Sequence, residues 1–272
     1  MSQSGMAAVN GTRLYYEMAG EGHPLVLIHA GIADSRMWDD QFALFAERYR
    51  VVRYDLRGFG KSEVPPGPYA LRDDLYGLLD FLDIQKAYVI GVSMGGGLAI
   101  DFTLEHPDMV GALIPVCAGL GGFEPSATET EIAYREAIEA AEHAGDIERV
   151  NDMEVHLWVD GLGRTPEQVS TRVRQRVLVM NGLALAREAE QDQAQPQRLH
   201  QPAVGRLAEI RVPTLVIIGD QDLSRIQQTA DKLASDITGA RKVVIRDTAH
   251  VPNMERPDEF NHVVLEFLGS VN

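Results

Sequence analysis

A chain of 272 residues with 45% hydrophobic and 24% charged side chains can bury a substantial core and is composed as globular proteins are. Its formal net charge of -15 excludes the basic surface by which nucleic acids and anionic membranes are bound. One cysteine, Cys117, cannot form an internal disulfide, and no stretch reaches the length of a bilayer. Residues 1–11 hold neither a basic segment nor an apolar signal core, so a cytoplasmic protein is expected.

Residues 13–18 and the run Pro24-Leu25-Val26-Leu27-Ile28-His29 predict strands on either side of the Gly20-Glu21-Gly22 turn, the second apolar enough for a buried central strand. A helix is predicted over 35–48, a strand over 49–54, a helix over 71–82 and a strand over 87–92. A helix over 94–105 follows and ends before Pro107. This alternation predicts an α/β fold with a mostly parallel central sheet flanked by helices. After a strand over 111–117 the pattern changes. Residues 123–205 carry helical periodicity, with helices expected over 133–144, 150–158 and 169–185 and a polar connector over 191–201. They are expected to form an inserted helical cap between two parts of one core domain, residues 1–122 and 206–272. The sheet resumes over 213–219, followed by a helix over 224–234, a strand over 242–245 and a helix over 257–268.

The segment Gly91-Val92-Ser93-Met94-Gly95 joins an apolar strand to an Ala/Leu/Ile-rich helix. A serine on so tight a turn sits in strained backbone with its Oγ exposed at the apex, and the flanking glycines remove side chains that would collide. The helix beginning at Met94 directs unpaired N–H groups and its positive end to the same place, where an oxyanion could be held. A serine hydroxyl needs a base to take its proton and a carboxylate to orient that base. The C-terminal third offers both just past predicted strands: Asp222 in Gly219-Asp220-Gln221-Asp222, and His250 in Asp247-Thr248-Ala249-His250.

On these segments, together with Leu27-Ile28-His29-Ala30-Gly31 and Tyr54-Asp55-Leu56-Arg57-Gly58-Phe59-Gly60-Lys61-Ser62, the chain resembles the α/β-hydrolase-fold serine hydrolases over nearly its whole length. The resemblance extends loosely to the esterase and enol-lactonase-like branch. It implies Ser93, Asp222 and His250 as catalytic residues, with the backbone N–H groups of Gly31 and Met94 as the oxyanion hole. Ala30 stands where the family usually has glycine and adds a methyl beside that hole. The resemblance favours Asp222 over its neighbour Asp220 as the acid, makes His29 a brace for the oxyanion loop, and makes Asp55 and Arg57 parts of a structural turn.

Trp38, Phe123, His156 and Trp158 are candidate substrate contacts, with Leu157 and Met180 as further apolar candidates of which Met180 reads as core. The arginines between 172 and 176 read as a solvated helix face, and Cys117 as a small buried residue. No His/Cys spacing suggests a metal, and no cofactor is expected. The implied activity is cleavage of a small carboxylic ester or lactone through an acyl-enzyme. Alternatives are hydrolysis of a carbon–carbon bond in vinylogous diketones by the same triad, perhydrolysis as a side activity, and a ligand-binding protein that keeps the fold. A small-molecule ester or lactone is the expected partner, with no nucleic acid and no membrane.

Overall fold

Asn10 and Gly11 both take positive φ (44° and 72°), as a type I′ hairpin turn requires, and fold β1 (Gln3–Val9) antiparallel onto β2 (Thr12–Ala19). β1 lies upstream of the first predicted strand, and the Asn-Gly pair is its signal in the sequence. The computed structural model describes residues 2–187 and 193–271. Its elements continue as β3 (Pro24–Ile28), α1 (Asp39–Phe45), β4 (Arg50–Tyr54), β5 (Gly67–Tyr69), α2 (Leu71–Phe81), β6 (Ala87–Val92), α3 (Met94–Glu105) and β7 (Val110–Val116). The helices α4 (Glu129–His143), α5 (Ile147–Val155) and α6 (Thr171–Ala186) come next. Then follow β8 (Ala194–Pro196), β9 (Leu215–Gly219), α7 (Ser224–Asp236), β10 (Arg241–Ile245), α8 (Pro252–Glu255) and α9 (Pro257–Gly269).

Eight strands form one sheet in the order β1-β2-β4-β3-β6-β7-β9-β10, in which β2 runs antiparallel to β1 and β4 and the remaining pairs are parallel. Leu25 to Ile28 and Val89 to Ile90 are fully buried, as expected of parallel strands covered on both faces. From β3 the chain crosses to β4 on one side, and from β6 it crosses to β7 on the other. Right-handed crossovers therefore carry α1 and α3 to opposite faces and open a crevice beyond the carboxyl ends of β3 and β6.

Three local departures from the sequence pattern have physical causes. The predicted helix over 35–48 begins as a 3-10 turn, Ser35–Trp38, because the Asp34 side chain accepts the Arg36 N–H at 3.0 Å and caps it early. The helix predicted over 150–158 is α-helical only to Val155 and then widens into a π turn, His156–Asp160, closed by the Gly161 N–H to the His156 carbonyl at 2.9 Å. In the expected polar connector, Gln191 and Asp192 lie outside the described residues, while Ala194–Pro196 is a strand pairing in parallel with β5.

The turn after β4 is held by buried charge. Arg57 donates to both carboxylate oxygens of Asp74 in α2 (2.6 and 2.8 Å), and their side chains are 4% and 1% exposed. Asn10 joins them, giving its side-chain N–H to Asp74 at 2.6 Å and its carbonyl to Arg57 at 2.8 Å. Nearby, the Asp55 carboxylate accepts the N–H groups of Ser35 and Lys61, both at 2.8 Å. Arg57→Ala leaves the Asp74 charge buried without its cation, and a loss of about 3–5 kcal/mol is expected in chemical denaturation. The double replacement Arg57→Met with Asp74→Leu should recover most of it, and a double variant as unstable as the single one would contradict this account.

Candidate active site

Ser93 has φ 55° and ψ −113°, a left-handed conformation that a non-glycine residue holds only under constraint. Its N–H donates to Val116 of β7 at 2.9 Å, and its carbonyl accepts from Gly97 at 2.9 Å and Gly119 at 3.2 Å. The glycines at 91 and 95 are required by space. A Cβ on Gly91 would lie 2.1 Å from the Gly95 carbonyl oxygen, and one on Gly95 would lie 2.6 Å from the carbonyls of both Ile28 and His29. α3 thus begins directly against the end of β3, with Ser93 half-buried at its N-terminus and first-turn N–H groups that have no intrahelical partner.

The loop after β3 meets this turn. A Cβ built on Gly31 would be 3.8 Å from Met94 Cε and 4.0 Å from its Cβ, so the Met94 side chain lies against Gly31. His29, fully buried, accepts the Leu56 N–H on Nε2 at 2.9 Å, which leaves Nδ1 to donate to the Ala30 carbonyl at 2.8 Å. Burial lowers its pKa, so it stays neutral in this bracing role. The Ala30 methyl is fully buried in the core and does not face the cavity at Ser93.

Beyond β9 and β10, His250 Nδ1 and Asp222 Oδ2 are 2.7 Å apart, with side chains 2% and 1% exposed. The other Asp222 oxygen accepts the Leu223 N–H at 2.8 Å. Asp220 is exposed. The His250 N–H donates to the Trp158 carbonyl at 3.1 Å, and the two rings stack with centroids 4.4 Å apart. His250 Nε2 is buried without a hydrogen-bond partner in the wall of a cavity that Ser93 also lines.

Two buried groups support this loop that the sequence pattern did not single out. Glu255 accepts the Ala249 N–H at 2.7 Å and pairs with Arg164 at 2.8 Å. Arg164 also donates to the carbonyls of Val159, Asp160 and Asp247 at 2.9, 2.6 and 2.7 Å, tying the π turn to the His250 loop. Burial pushes the Glu255 carboxyl up to about 7, against the pull of Arg164. Cys117 lies beneath, its Sγ 3.7 Å from the Ala249 carbonyl, and burial and the Asp222 carboxylate push its thiol well above the usual range. Ligand atoms of Cys117, Asp222 and His250 come within 4.8 Å of one another. A protonated thiol is a poor metal ligand, and the other two groups already bond each other.

The cavity at Ser93 holds about 270 Å³. Ile32, Phe59, Trp158, Ala184 and Leu185 give it apolar walls, and Glu154 and Asn181 give it polar ones. Of the four candidate substrate contacts, Trp158 lines it and three do not. Trp38 is fully buried in the core against Phe260, with ring centroids 6.2 Å apart, because the 3-10 turn directs it inward. His156 pairs with the buried Asp160 at 3.0 Å and packs on Tyr134. Phe123 faces a neighbouring cavity of about 650 Å³ that shares Met94 with the first.

Leu157 and Met180 are buried in the core. Of the arginines of α6, Arg172 stays exposed as expected while touching Asp40 of α1 at 3.1 Å, whereas Arg174 and Arg176 are largely covered in pairs with Asp160 at 2.7 Å and Asp40 at 2.5 Å. Glu154 lies one helical turn before Trp158, and Asn181 one turn before Ala184 and Leu185. The sequence pattern did not single out Glu154 or Asn181, and the i,i+4 spacing of Glu154 from Trp158 is the signal that could have found the first.

A mostly parallel sheet with an antiparallel edge and a strained serine between strand and helix is the architecture of the α/β hydrolases. The chain belongs to the alpha/beta hydrolase family, whose model matches residues 25–263. It is 30% identical to 2-hydroxy-6-oxononadienedioate/2-hydroxy-6-oxononatrienedioate hydrolase 2 of Pseudomonas putida, over 94% of this chain and 91% of that protein. Among solved structures, the enol-lactonase of Burkholderia xenovorans LB400 is 30% identical, with a TM-score of 0.78 over 98% of this chain and 100% of that one. A thermophilic esterase of Thermogutta terrifontis is 25% identical, with a TM-score of 0.77 over 99% of each chain. Among the described residues, no helix is long and apolar enough to cross a membrane.

The environment of Glu255 has a measurable consequence. Between 4.5 and about 7 the folded protein keeps a proton that the unfolded chain has released, so stability falls as pH rises through that window. Glu255→Gln removes this slope. In guanidinium denaturation its stability relative to wild type should improve between pH 4.5 and 8, on the order of 1–3 kcal/mol. Parallel pH curves for the two proteins would mean that the carboxyl ionises normally.

Proposed function

We propose that this protein is a serine hydrolase of small carboxylic esters or lactones, working through an acyl-enzyme with Ser93 as nucleophile, His250 as base and Asp222 as orienting acid. The observation that carries the reading is the state of His250. Its Nδ1 is committed to Asp222 at 2.7 Å, while Nε2 is buried, unpartnered and in the wall of the cavity that holds Ser93. A histidine that donates from Nδ1 presents a lone pair on Nε2, the tautomer a general base needs.

In this mechanism Nε2 takes the Ser93 proton as Oγ attacks the substrate carbonyl. The N–H groups of Gly31 and Met94 hold the oxyanion. Collapse of the tetrahedral intermediate breaks the bond to the alkoxy oxygen, which His250 protonates. With a lactone that alcohol stays tethered to the acyl group. Water, deprotonated by His250, then attacks the acyl-enzyme and releases the acid. No step needs a cofactor. Residues 123–205 as a cap over the site belong to the same reading, supported by the cavity walls that α5 (Glu154), the π turn (Trp158) and α6 (Asn181, Ala184 and Leu185) supply. A cytoplasmic location belongs to the same proposal and rests on the single buried cysteine.

Hydrolysis of a carbon–carbon bond by the same residues is the second reading, favoured by the similarity to the Pseudomonas putida hydrolase along 94% of the chain. A substrate panel of esters, lactones and vinylogous diketones separates the two.

Exposure to a fluorophosphonate should add one adduct to the intact mass, and p-nitrophenyl acetate and butyrate should be turned over. Ser93→Ala should lose both, and ester turnover surviving in that variant would put the nucleophile elsewhere. For the acid, Asp222→Asn should lower kcat by about 10⁴ through the wrong His250 tautomer, while Asp220→Asn leaves it nearly unchanged. The reverse order would reassign the acid.

A further inference from the structure

Met94, Gly97, Leu98 and Asp101 recur along α3 at i, i+3, i+4 and i+7, which puts them on one face of the helix. All four line the cavity of about 650 Å³. That cavity therefore runs along α3 for about 10 Å from the end that carries Ser93. Its remaining apolar walls are Leu120 and Phe123 in the loop after β7, and Leu199. Glycines keep the space open. A Cβ on Gly119 would meet nothing within 4 Å, and one on Gly97 would touch the Gly119 carbonyl oxygen at 3.2 Å. Among the described residues, the ionisable side chains at this cavity are Arg72 and Arg198 against Asp101 and Glu124, with no excess of either sign. Burial pushes the Asp101 carboxyl up to about 6, as a space poor in water does.

Met94 is the wall that this cavity shares with the one at Ser93. Its side chain is half-buried, unbranched and able to change rotamer, so it can yield to a chain passing between the two. Which side of an ester would pass follows from the proton. His250 and Trp158 line the first cavity and not the second, and a leaving alcohol protonated by His250 Nε2 has to lie beside them. The acyl group is the part left to extend past Met94. Size agrees, because the first cavity, about 270 Å³, falls below the range of roughly 300–1,000 Å³ usual for ligand sites and the second lies within it.

We infer that the cavity along α3 is an acyl-chain subsite, so that the substrates are esters joining an extended apolar acyl chain to a short alcohol. The inference rests on the reading of Ser93 and His250 as nucleophile and base. It makes Phe123 a contact of the acyl chain. It also favours esters over unsubstituted lactones, whose alcohol is tethered to the acyl group and leaves no free chain for the second cavity.

Ethyl octanoate and octyl acetate test it, being isomers that differ only in which side of the ester carries the long chain. With both kept below their solubility limits and hydrolysis followed by proton release, kcat/KM for ethyl octanoate should be at least about tenfold above that for octyl acetate, since each methylene taken out of water is worth about fourfold. Gly119→Leu and Gly121→Leu, whose added side chains have room at this cavity, should each bring the ratio towards one. A wild-type ratio of one or below would overturn the inference, as would a ratio that neither replacement moves. Calorimetric dissociation constants of octanoate and butyrate for Ser93→Ala protein give a readout that needs neither leucine variant. Octanoate should bind at least about tenfold more tightly, and equal constants would refute the subsite. No turnover of either ester together with no fluorophosphonate adduct would overturn the hydrolase reading, and the inference with it, whereas an adduct without preference for ethyl octanoate would sink the inference alone.

Discussion

A Cβ atom at Gly95 would stand 2.6 Å from the carbonyl oxygens of Ile28 and His29, and the lack of one sets how closely α3 can approach the end of β3. That approach fixes three things together. It forces Ser93 into φ 55°, it brings Met94 against Gly31, and it puts the open N-terminus of α3 beside the loop after β3. The strain is held by the parallel pairing of β6 with β3 and β7, whose buried side chains leave the turn no slack. The strained serine and the open helix end beside it thus come from one packing constraint, and the rest of the site has to be brought to it.

What brings the rest is a polar framework at the opposite end of the site. His250 follows the edge strand β10, yet its loop is anchored at several points: Asp222 on the ring, the Trp158 carbonyl on its N–H, and Glu255 on the N–H of Ala249. Arg164 bonds both the carbonyls of the π turn and Glu255, so the indole stacked on His250 and the loop carrying His250 share one support. The π turn has a local purpose in this geometry. One additional residue in the turn shifts the phase of the chain after Val155, which carries Trp158 onto the His250 ring while Glu154 remains on the α-helical side facing Asn181.

The sequence carried the sheet and the juxtaposition of Ser93, Asp222 and His250 because each depends on local patterns: apolar runs of strand length, a glycine-flanked serine, polar residues just past strands. It carried the side-chain walls poorly, since they depend on helical phase. Trp38 reads as a pocket residue only if an α-helix begins at Ser35, and the cap at Asp34 turns it into the core. His156 reads as a substrate contact until Asp160, four residues on, is found buried and paired with it. Arg172 and Arg176 of α6 face Asp40 of α1, more than a hundred residues earlier, a pairing no local pattern contains. β1 is different, because Asn10-Gly11 is a strong short-range hairpin signal and was legible.

The same division runs between reaction and substrate. The serine turn, the loop after β3 and the histidine–acid pair all project from strand ends of the sheet, where the backbone geometry belongs to the fold. Trp158, Glu154, Asn181, Ala184 and Leu185 project from the segment between β7 and β9, whose helices are joined to the sheet by side-chain pairs such as Arg176 with Asp40 and Arg164 with Glu255. A change of one residue in α5 or α6 can therefore alter the charge of the cavity without disturbing the strained turn at Ser93. Relatives at 30% identity can then share the architecture around the serine while their names specify a dioate in one case and an enol-lactone in another.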